Sequence, residues 1–421
     1  MRIVVVGGGF GGLASAVRLA KLGHDVTLVE RSTGLGGALS SVTEDGFTWD
    51  AGPTYTLLPA VLRDLFRKSG RPLERELDLV PLDVVREHRF EDGSSVRVEV
   101  GRAAQVTAFD ELGPGLGQRW VDHVASYADD WEVLRRGYFE NPWDPAAPPR
   151  LFESREMLHK RLKRTFKDER LRLVAGHPFV AEGHDLRNVP AWMGVTAYVE
   201  QRFGAWTVPG GMARLGEVLA GRLATRGVTV LTGVEARDLV VREDRVAAVR
   251  TTTGDLDTDA VVCAIDPRRL PALAAYVART MPAIPPVVVH VGLDGDPPDL
   301  PHELVLHGDP MLVVRAHGSE LTVHGRGRLS EDVLRALARH RIDVREQVVA
   351  RVDRSPRDQV EQWQSSPMGV LWQGRGTVRR RLGPRTPLAG VYAAGAHATP
   401  GAGLPFVGLS AALVAAEIGP A

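Results

Sequence analysis

The sequence predicts an α/β fold in which a parallel sheet at the start of the chain is joined to a second, discontinuous α+β region. Three observations carry that reading. An apolar run, Ile3-Val4-Val5-Val6, leads into Gly7-Gly8-Gly9-Phe10-Gly11-Gly12, which contains Gly7-x-Gly9-x-x-Gly12. Leu13, Ala14, Ala16, Val17 and Ala20 follow at helical spacing. A second apolar run, Val26-Thr27-Leu28-Val29, then ends in Glu30. Strand, glycine turn, helix, strand and carboxylate in that order make a Rossmann-type unit that holds a dinucleotide.

Each part of the unit has a physical reason. Gly7 lets the chain turn sharply out of the strand. Gly9 leaves room for a pyrophosphate to reach the backbone, and Gly12 lets the helix pack close to the sheet. The helix start offers free N–H groups and the positive end of its dipole to the phosphates. Glu30 stands where ribose hydroxyls would lie. The turn by itself admits NAD or FAD.

The later elements are read in order. Phe47–Thr54 is a short strand and turn, and 57–68 a helix that Gly70 can end. Residues 79–101 alternate apolar and polar around Glu91-Asp92-Gly93-Ser94 and predict a hairpin. After the Gly113-Pro114-Gly115 break, 118–136 reads as one helix with core aromatics Trp120, Tyr127 and Trp131. Residues 139–150 form a proline-rich connector, and 153–175 a basic helix or helix pair. Gly204–Met212 is a loop, 213–226 a helix and 228–231 a strand. The 239–259 stretch is a second hairpin region, and 260–264 a buried strand. Proline-rich stretches at 282–286 and 297–301 bound another alternating segment. Gly390–Gly395 is a strand entering a turn, and 409–418 the last helix. A strand–turn–helix at the end can return to the first sheet, which a long dinucleotide such as FAD requires more than NAD does.

Composition narrows the class. The 421 residues hold 44% hydrophobic residues, enough for two domains with large cores. Lys+Arg and Asp+Glu balance at 52 each, so nothing points to a nucleic-acid partner. The single cysteine, Cys263, rules out an intramolecular disulfide or a cysteine metal cluster, and no metal is expected. Met1 and Arg2 run directly into the first strand, so a signal peptide is not expected. No apolar stretch is long enough to span a bilayer. The reading is a cytoplasmic chain that can touch the inner face of the membrane.

Four blocks make the chain resemble the bacterial-type phytoene (carotenoid) desaturases, within the FAD-dependent amine-oxidase-like superfamily. The first is Gly7–Glu30 with Arg31 and the Gly36-Gly37 pair; where the family often has arginine after that pair, this chain has Ala38. The second is Gly46–Thr54, and the third is Phe203–Leu215 with the Ala236 region beyond it. The fourth, Gly390–Pro405, is close to the family's C-terminal signature and departs from it at Ala393, His397 and Thr399.

The resemblance implies FAD as cofactor. Its contacts would be Gly7, Gly9, Phe10, Gly11, Gly12, Glu30, Arg31, Gly36, Gly37, Ala38, Gly52, Pro53, Thr54, Ala236, Gly395, Ala396, Gly403, Leu404 and Pro405. It implies an FAD-binding domain from 1–75, 205–270 and 365–421, and a discontinuous α+β substrate domain from 76–204 and 271–364. The chain is shorter than a typical carotenoid desaturase, and the shortfall is expected in the substrate domain. The implied activity is dehydrogenation of an apolar, polyene- or isoprenoid-like or natural-product small molecule. The rivals are a flavin amine oxidase or secondary-metabolite oxidase, a redox-neutral isomerase or isoprenoid reductase, and a flavin-binding protein without activity.

A flavin oxidant needs little from the protein beyond placement, so no catalytic triad is expected. His397, beside the expected flavin, and His177, in the substrate domain, are the candidate proton-handling groups. The basic segment Lys160–Arg164 carries Met157, Leu158, Leu162 and Phe166 at helical spacing. It reads as a solvated helix face or as a surface resting on an anionic membrane. Arg379-Arg380-Arg381 reads as surface charge, and Cys263 as an inert core residue.

Overall fold

The computed structural model describes residues 1–142, 144 and 146–421. Two residues of the proline-rich connector, Trp143 and Pro145, lie outside the described residues.

The first apolar run forms β1 (Arg2–Val6), buried from Ile3 onward. The glycine turn feeds α1 (Phe10–Lys21), and the second apolar run is β2 (Asp25–Glu30). A strand covered on both faces reads as a continuous apolar run, which is what Ile3–Val6 is. The sheet is wholly parallel, in the order 391–393, 260–263, β1, β2, 229–232. The C-terminal strand therefore does return to the first sheet, with Val391 paired to Val261. The last helix, Leu404–Ile418, packs with α1 in one apolar core. It begins five residues earlier than the apolar pattern suggested, directly after Gly403. The α/β class expected from the sequence is the class observed.

A three-stranded antiparallel meander, 236–257, attaches beside this sheet. The expected 79–101 hairpin forms as Val84–Arg89 and Ser95–Glu99. It joins a seven-stranded sheet in the order 348–354, 287–293, 320–326, 311–317, 303–306, 84–89, 95–99. One pair in that sheet, Val84–Arg89 with Glu303–Leu306, is parallel.

A helical layer covers the same region. The helix expected at 118–136 is two helices, Leu116–Ala125 and Ala128–Leu134. The Ser126 hydroxyl turns back to the His123 carbonyl at 2.7 Å, a local bond that competes with helix continuation. Trp120, Tyr127 and Trp131 are buried in this layer, as core aromatics. The basic segment is a pair, Leu158–Thr165 and Glu169–Ala181. Leu158, Leu162 and Phe166 are buried in the protein's own core, so this helix has no free apolar face for a membrane. No helix among the described residues is long and apolar enough to cross a membrane.

Candidate active site

The glycine turn is built by close backbone approach. A Cβ on Gly12 would sit 1.8 Å from the Gly7 carbonyl oxygen, so only glycine lets α1 pack this tightly on β1. No side chain caps the start of α1, and its first N–H groups remain free. Glu30 accepts from the Gly8 N–H at 2.7 Å and from the Ser32 N–H at 2.7 Å, which draws the end of β2 against the turn. The Gly36 N–H donates to the Gly8 carbonyl at 2.8 Å. Gly37, at φ +58°, comes so near that its Cβ would stand 3.0 Å from the Gly9 Cα. The second glycine pair thus packs on the first turn, although it lies more than twenty residues away.

These elements wall a cavity of about 600 Å³. It is lined by the turn, by Glu30–Ser32 and by Val234–Arg237. It reaches Gly36–Leu39, Ala51–Pro53, Gly395–His397 and Gly403–Leu404. The last helix begins there, also without a side-chain cap. Two features fit FAD at this site. A Cβ on Gly9 would meet nothing nearer than 4.0 Å, which leaves space in front of α1 for a pyrophosphate. A second uncapped helix start aims its dipole at the far end, where a flavin ring gains negative charge on reduction. Among the described residues no cluster of histidine, cysteine and carboxylate side chains is placed to hold a metal.

Of the residues expected from the sequence, Gly7, Gly9, Phe10, Gly11, Glu30, Arg31, Gly36, Gly37, Ala38, Gly52, Pro53, Ala236, Gly395, Ala396, Gly403 and Leu404 line this cavity, as do His177 and His397. Three lie off it. Gly12 is behind the turn, packed on Gly7. Thr54 is turned into the fold: its carbonyl accepts from Thr207 at 2.9 Å and its hydroxyl meets His302 at 3.2 Å. Pro405 lines a neighbouring chamber instead. The glycine loop at 208–212 also stays off the cavity and acts through Asp50. The Asp50 carboxylate accepts from Met212 N–H at 2.9 Å and Ala213 N–H at 2.8 Å. It caps the next helix and anchors the strand that leads into Gly52-Pro53.

His397 is buried. Its Nε2 donates to the Ser366 carbonyl at 3.0 Å, while Nδ1 has no hydrogen-bond partner and lies 3.8 Å from Asp266. Burial pulls its pKa down against the opposing effect of Asp266, so the ring is neutral, with Nδ1 as the free acceptor. His177 is also buried and neutral, 3.9 Å from Glu303, with Nδ1 unpartnered.

On the wall of the same cavity the seven-stranded sheet presents a row of charge. The Arg86 guanidinium donates to Glu303 at 3.0 Å, to both Glu200 oxygens at 2.9 and 2.8 Å and to Tyr55 at 2.8 Å. Glu303 also accepts from Arg315 at 3.1 Å. Register explains the row: Glu303 pairs directly with Arg315, and Arg86 stands beside it on the parallel neighbour. Burial pushes the Glu303 carboxyl up, but His177, Arg315 and Arg86 outweigh it and hold it well below the usual carboxylate range. Nothing local in the sequence marks these residues, because pairing across three strands brings them together. Truncating Arg86 leaves buried carboxylates without their cation. Arg86→Met is expected to lower stability by about 3–5 kcal/mol. Arg86→Lys should not rescue it, because an ammonium cannot match the forked geometry. Urea unfolding checks this; a loss below about 1 kcal/mol would show that the row is not coupled.

A second chamber of about 230 Å³ adjoins the first and shares Pro53, Tyr55, Met368, Gly403 and Leu404 with it. Its walls are aromatic and apolar: Trp120, Tyr138, Phe139, Phe179, Trp372 and Phe406. Arg381 also lines it. Contrary to the surface charge expected from the arginine triplet, Arg381 is 8% exposed. A run of like charges does not reveal which member turns inward, and here the aromatic face of Trp372 receives it at 4.5 Å.

The structure is similar along nearly its whole length to putrescine oxidase. The TM-score is 0.71 at 18% identity, with 99% of each chain covered. It is also similar to cyclohexylamine oxidase from Brevibacterium oxydans, with a TM-score of 0.67 at 17% identity and 99% of each chain covered. At such identities the likeness concerns the fold. In sequence the chain is 27% identical to a 4,4'-diapolycopene oxygenase from Methylomonas sp over 332 residues, which cover 73% of this chain and 66% of that protein. It is 32% identical to a zeta-carotene-forming phytoene desaturase from Myxococcus xanthus over 277 residues, 63% of this chain and 53% of the other. The matched parts thus span between about half and two-thirds of those relatives. The family model described as flavin containing amine oxidoreductase matches residues 10–419. A match of that extent, on a cavity that fits the cofactor, makes this chain a member of the flavin containing amine oxidoreductase family, with FAD as its cofactor.

Proposed function

We propose that this chain is an FAD-dependent oxidoreductase that dehydrogenates an apolar small molecule of isoprenoid, polyene or natural-product type, forming a C=C bond as a hydride and a proton leave adjacent carbons. The observation that carries the reading is the aromatic chamber meeting the cofactor cavity at Pro53, Tyr55 and Gly403–Leu404. When bound, FAD supplies the two-electron acceptor. The chain's own residues do the rest. The aromatic walls exclude water and hold an apolar skeleton, and the start of the last helix favours negative charge at the cofactor's far end. His397 is placed to take a proton at Nδ1, where Asp266 steadies the resulting cation. His177 is the alternative acceptor, facing Glu303.

The expected division supports the same reading. The parallel sheet draws its strands only from 1–75, 205–270 and 365–421, and the seven-stranded sheet only from 76–204 and 271–364. The chamber is smaller than the roughly 300 Å³ lower bound for pockets holding drug-sized ligands, so a compact substrate or one end of a longer one suits it. Delivery from the inner face of a membrane is part of the proposal. Met281 and Ile284 are exposed close to Pro286, which lines the cofactor cavity.

The aromatic walls also favour a second reading, a secondary-metabolite oxidase. Its amine form is opposed by charge, since Arg86, Arg315 and Arg381 line the chamber against Glu182 and Glu200. Anaerobic mixing of the holoprotein with cyclic and linear isoprenoids, polyenes and amines tests the proposal. Bleaching of the oxidised flavin by the hydrocarbons and not by amines is expected. Reduction by amines alone would overturn it, as would turnover that needs pre-reduced flavin, the mark of an isomerase or reductase.

A further inference from the structure

The aromatic chamber holds a buried cation, Arg381, that forms no ion pair among the described residues, with Glu182 the carboxylate acting on it from the same chamber. Arg381 donates from Nη1 to the Pro400 carbonyl at 3.0 Å and from Nη2 to the Val370 carbonyl at 2.8 Å. Tyr138 donates to the same Pro400 carbonyl at 3.2 Å, and the guanidinium lies over Trp372. Nε has no partner. Among the described residues no carboxylate comes within ion-pair distance of Arg381. Arg86, the other buried arginine that lines the chamber, is different: it has Glu200 and Glu303. A guanidinium out of water is held at a cost that neutral carbonyls offset only in part. An arriving anion would supply the missing charge.

The chamber also limits which anion. Most of its remaining walls are aromatic and aliphatic, Glu182 and Glu200 line it too, and no lysine does. Arg86 and Arg315 already face carboxylates. One planar guanidinium suits a planar carboxylate, whereas a phosphate or diphosphate asks for more donors than the chamber offers.

We infer that Arg381 binds a carboxylate on the substrate, which makes an apolar carboxylic acid, aromatic or terpenoid in its body, the preferred member of the proposed substrate class. The acid group rests on Arg381, and Trp120, Phe179 and Phe406 pack the skeleton that reaches toward Gly403–Leu404. This rests on the proposal that the chamber faces the flavin.

The test uses the FAD-loaded protein and an isosteric pair, phenylacetate and phenylacetamide, followed by the perturbation of the bound flavin's absorption spectrum. The acid is expected to bind at least about ten-fold more tightly than the amide, the scale of one charge-assisted pair. Arg381→Met should erase the preference while FAD content and the urea midpoint show the holoprotein intact. Arg381→Gln keeps an N–H for the Val370 carbonyl and serves where the methionine variant does not fold; it should erase the preference too. Equal binding of acid and amide by the unaltered protein, binding of neither, or a preference that survives both substitutions overturns the inference. The proposed dehydrogenation is judged separately, by flavin reduction with neutral isoprenoids: reduction there with no acid preference refutes only the role of Arg381.

Discussion

Gly9→Val is expected to give a stable protein that has lost FAD, and Gly12→Ala a protein whose fold is strongly destabilised. The two glycines stand in the same turn and differ in what surrounds them. Gly9 has φ −72° and ψ 178°, a conformation open to any residue, and its Cβ would meet no atom nearer than 4.0 Å. A valine there costs the fold within about 1 kcal/mol and fills the space ahead of the free N–H groups of α1. FAD affinity should fall at least about a hundred-fold, roughly 2.7 kcal/mol. At Gly12 the added carbon would lie 1.8 Å from the Gly7 oxygen and 3.0 Å from its carbon. Both are backbone atoms of the turn leaving the central strand and cannot swing aside. Relief would mean lifting α1 off the sheet, at about 3 kcal/mol or more, from a total near 5–15 kcal/mol. Flavin absorbance, circular dichroism and urea midpoints separate the two outcomes. Normal flavin content in Gly9→Val would refute the pyrophosphate site; a stable Gly12→Ala would refute the close packing of helix on strand.

Acid should unfold this protein before its carboxylates titrate. His123 and His290 are each brought down to about 4, and His307 to about 3. Burial is the main cause in all three, helped by Arg161, Arg354 and His177 respectively. The unfolded chain takes up these protons near pH 6.5, and the folded chain does not. Stability is therefore complete above pH 6.5 and falls as pH drops from there through about 4. Each histidine contributes about 1.4 kcal/mol per pH unit inside that window, and the three together up to about 4 kcal/mol per unit. Urea unfolding at steps from pH 7 to pH 5 measures the slope. His123 sits among Trp120, Tyr127 and Phe166, where phenylalanine fits, so His123→Phe should remove about a third of it. A midpoint that does not move between pH 7 and pH 5 would show that these rings accept protons in the folded state.

Some parts of the site were legible from residues because their physics is local. Val6 to Glu30 carries its own instructions: an apolar run, three glycines at fixed spacing, a helical pattern and an acid. The last helix reads from its apolar pattern as 409–418, five residues short of its true start, which Gly403 and Pro405 mark. Thr54 was misplaced because a motif places the backbone and leaves the side chain free to turn; here it turns toward His302 and Thr207. The helix pattern at 118–136 hid its break, since one serine hydroxyl decides it and leaves the apolar spacing intact.

The Arg86–Glu303–Arg315 row and the inward turn of Arg381 had no such mark. Arg86 and Glu303 stand 217 positions apart and become neighbours only through the register of a seven-stranded sheet. Arg380 and Arg381 are adjacent and chemically alike, yet Trp372 and the Val370 and Pro400 carbonyls take up only the second. By itself the sequence determined the dinucleotide end, because backbone shape and helix ends are set by residues close together in the chain. Which charges line the cavity and the chamber was decided by the tertiary structure, because strand register and burial bring distant residues together and take their charges out of water.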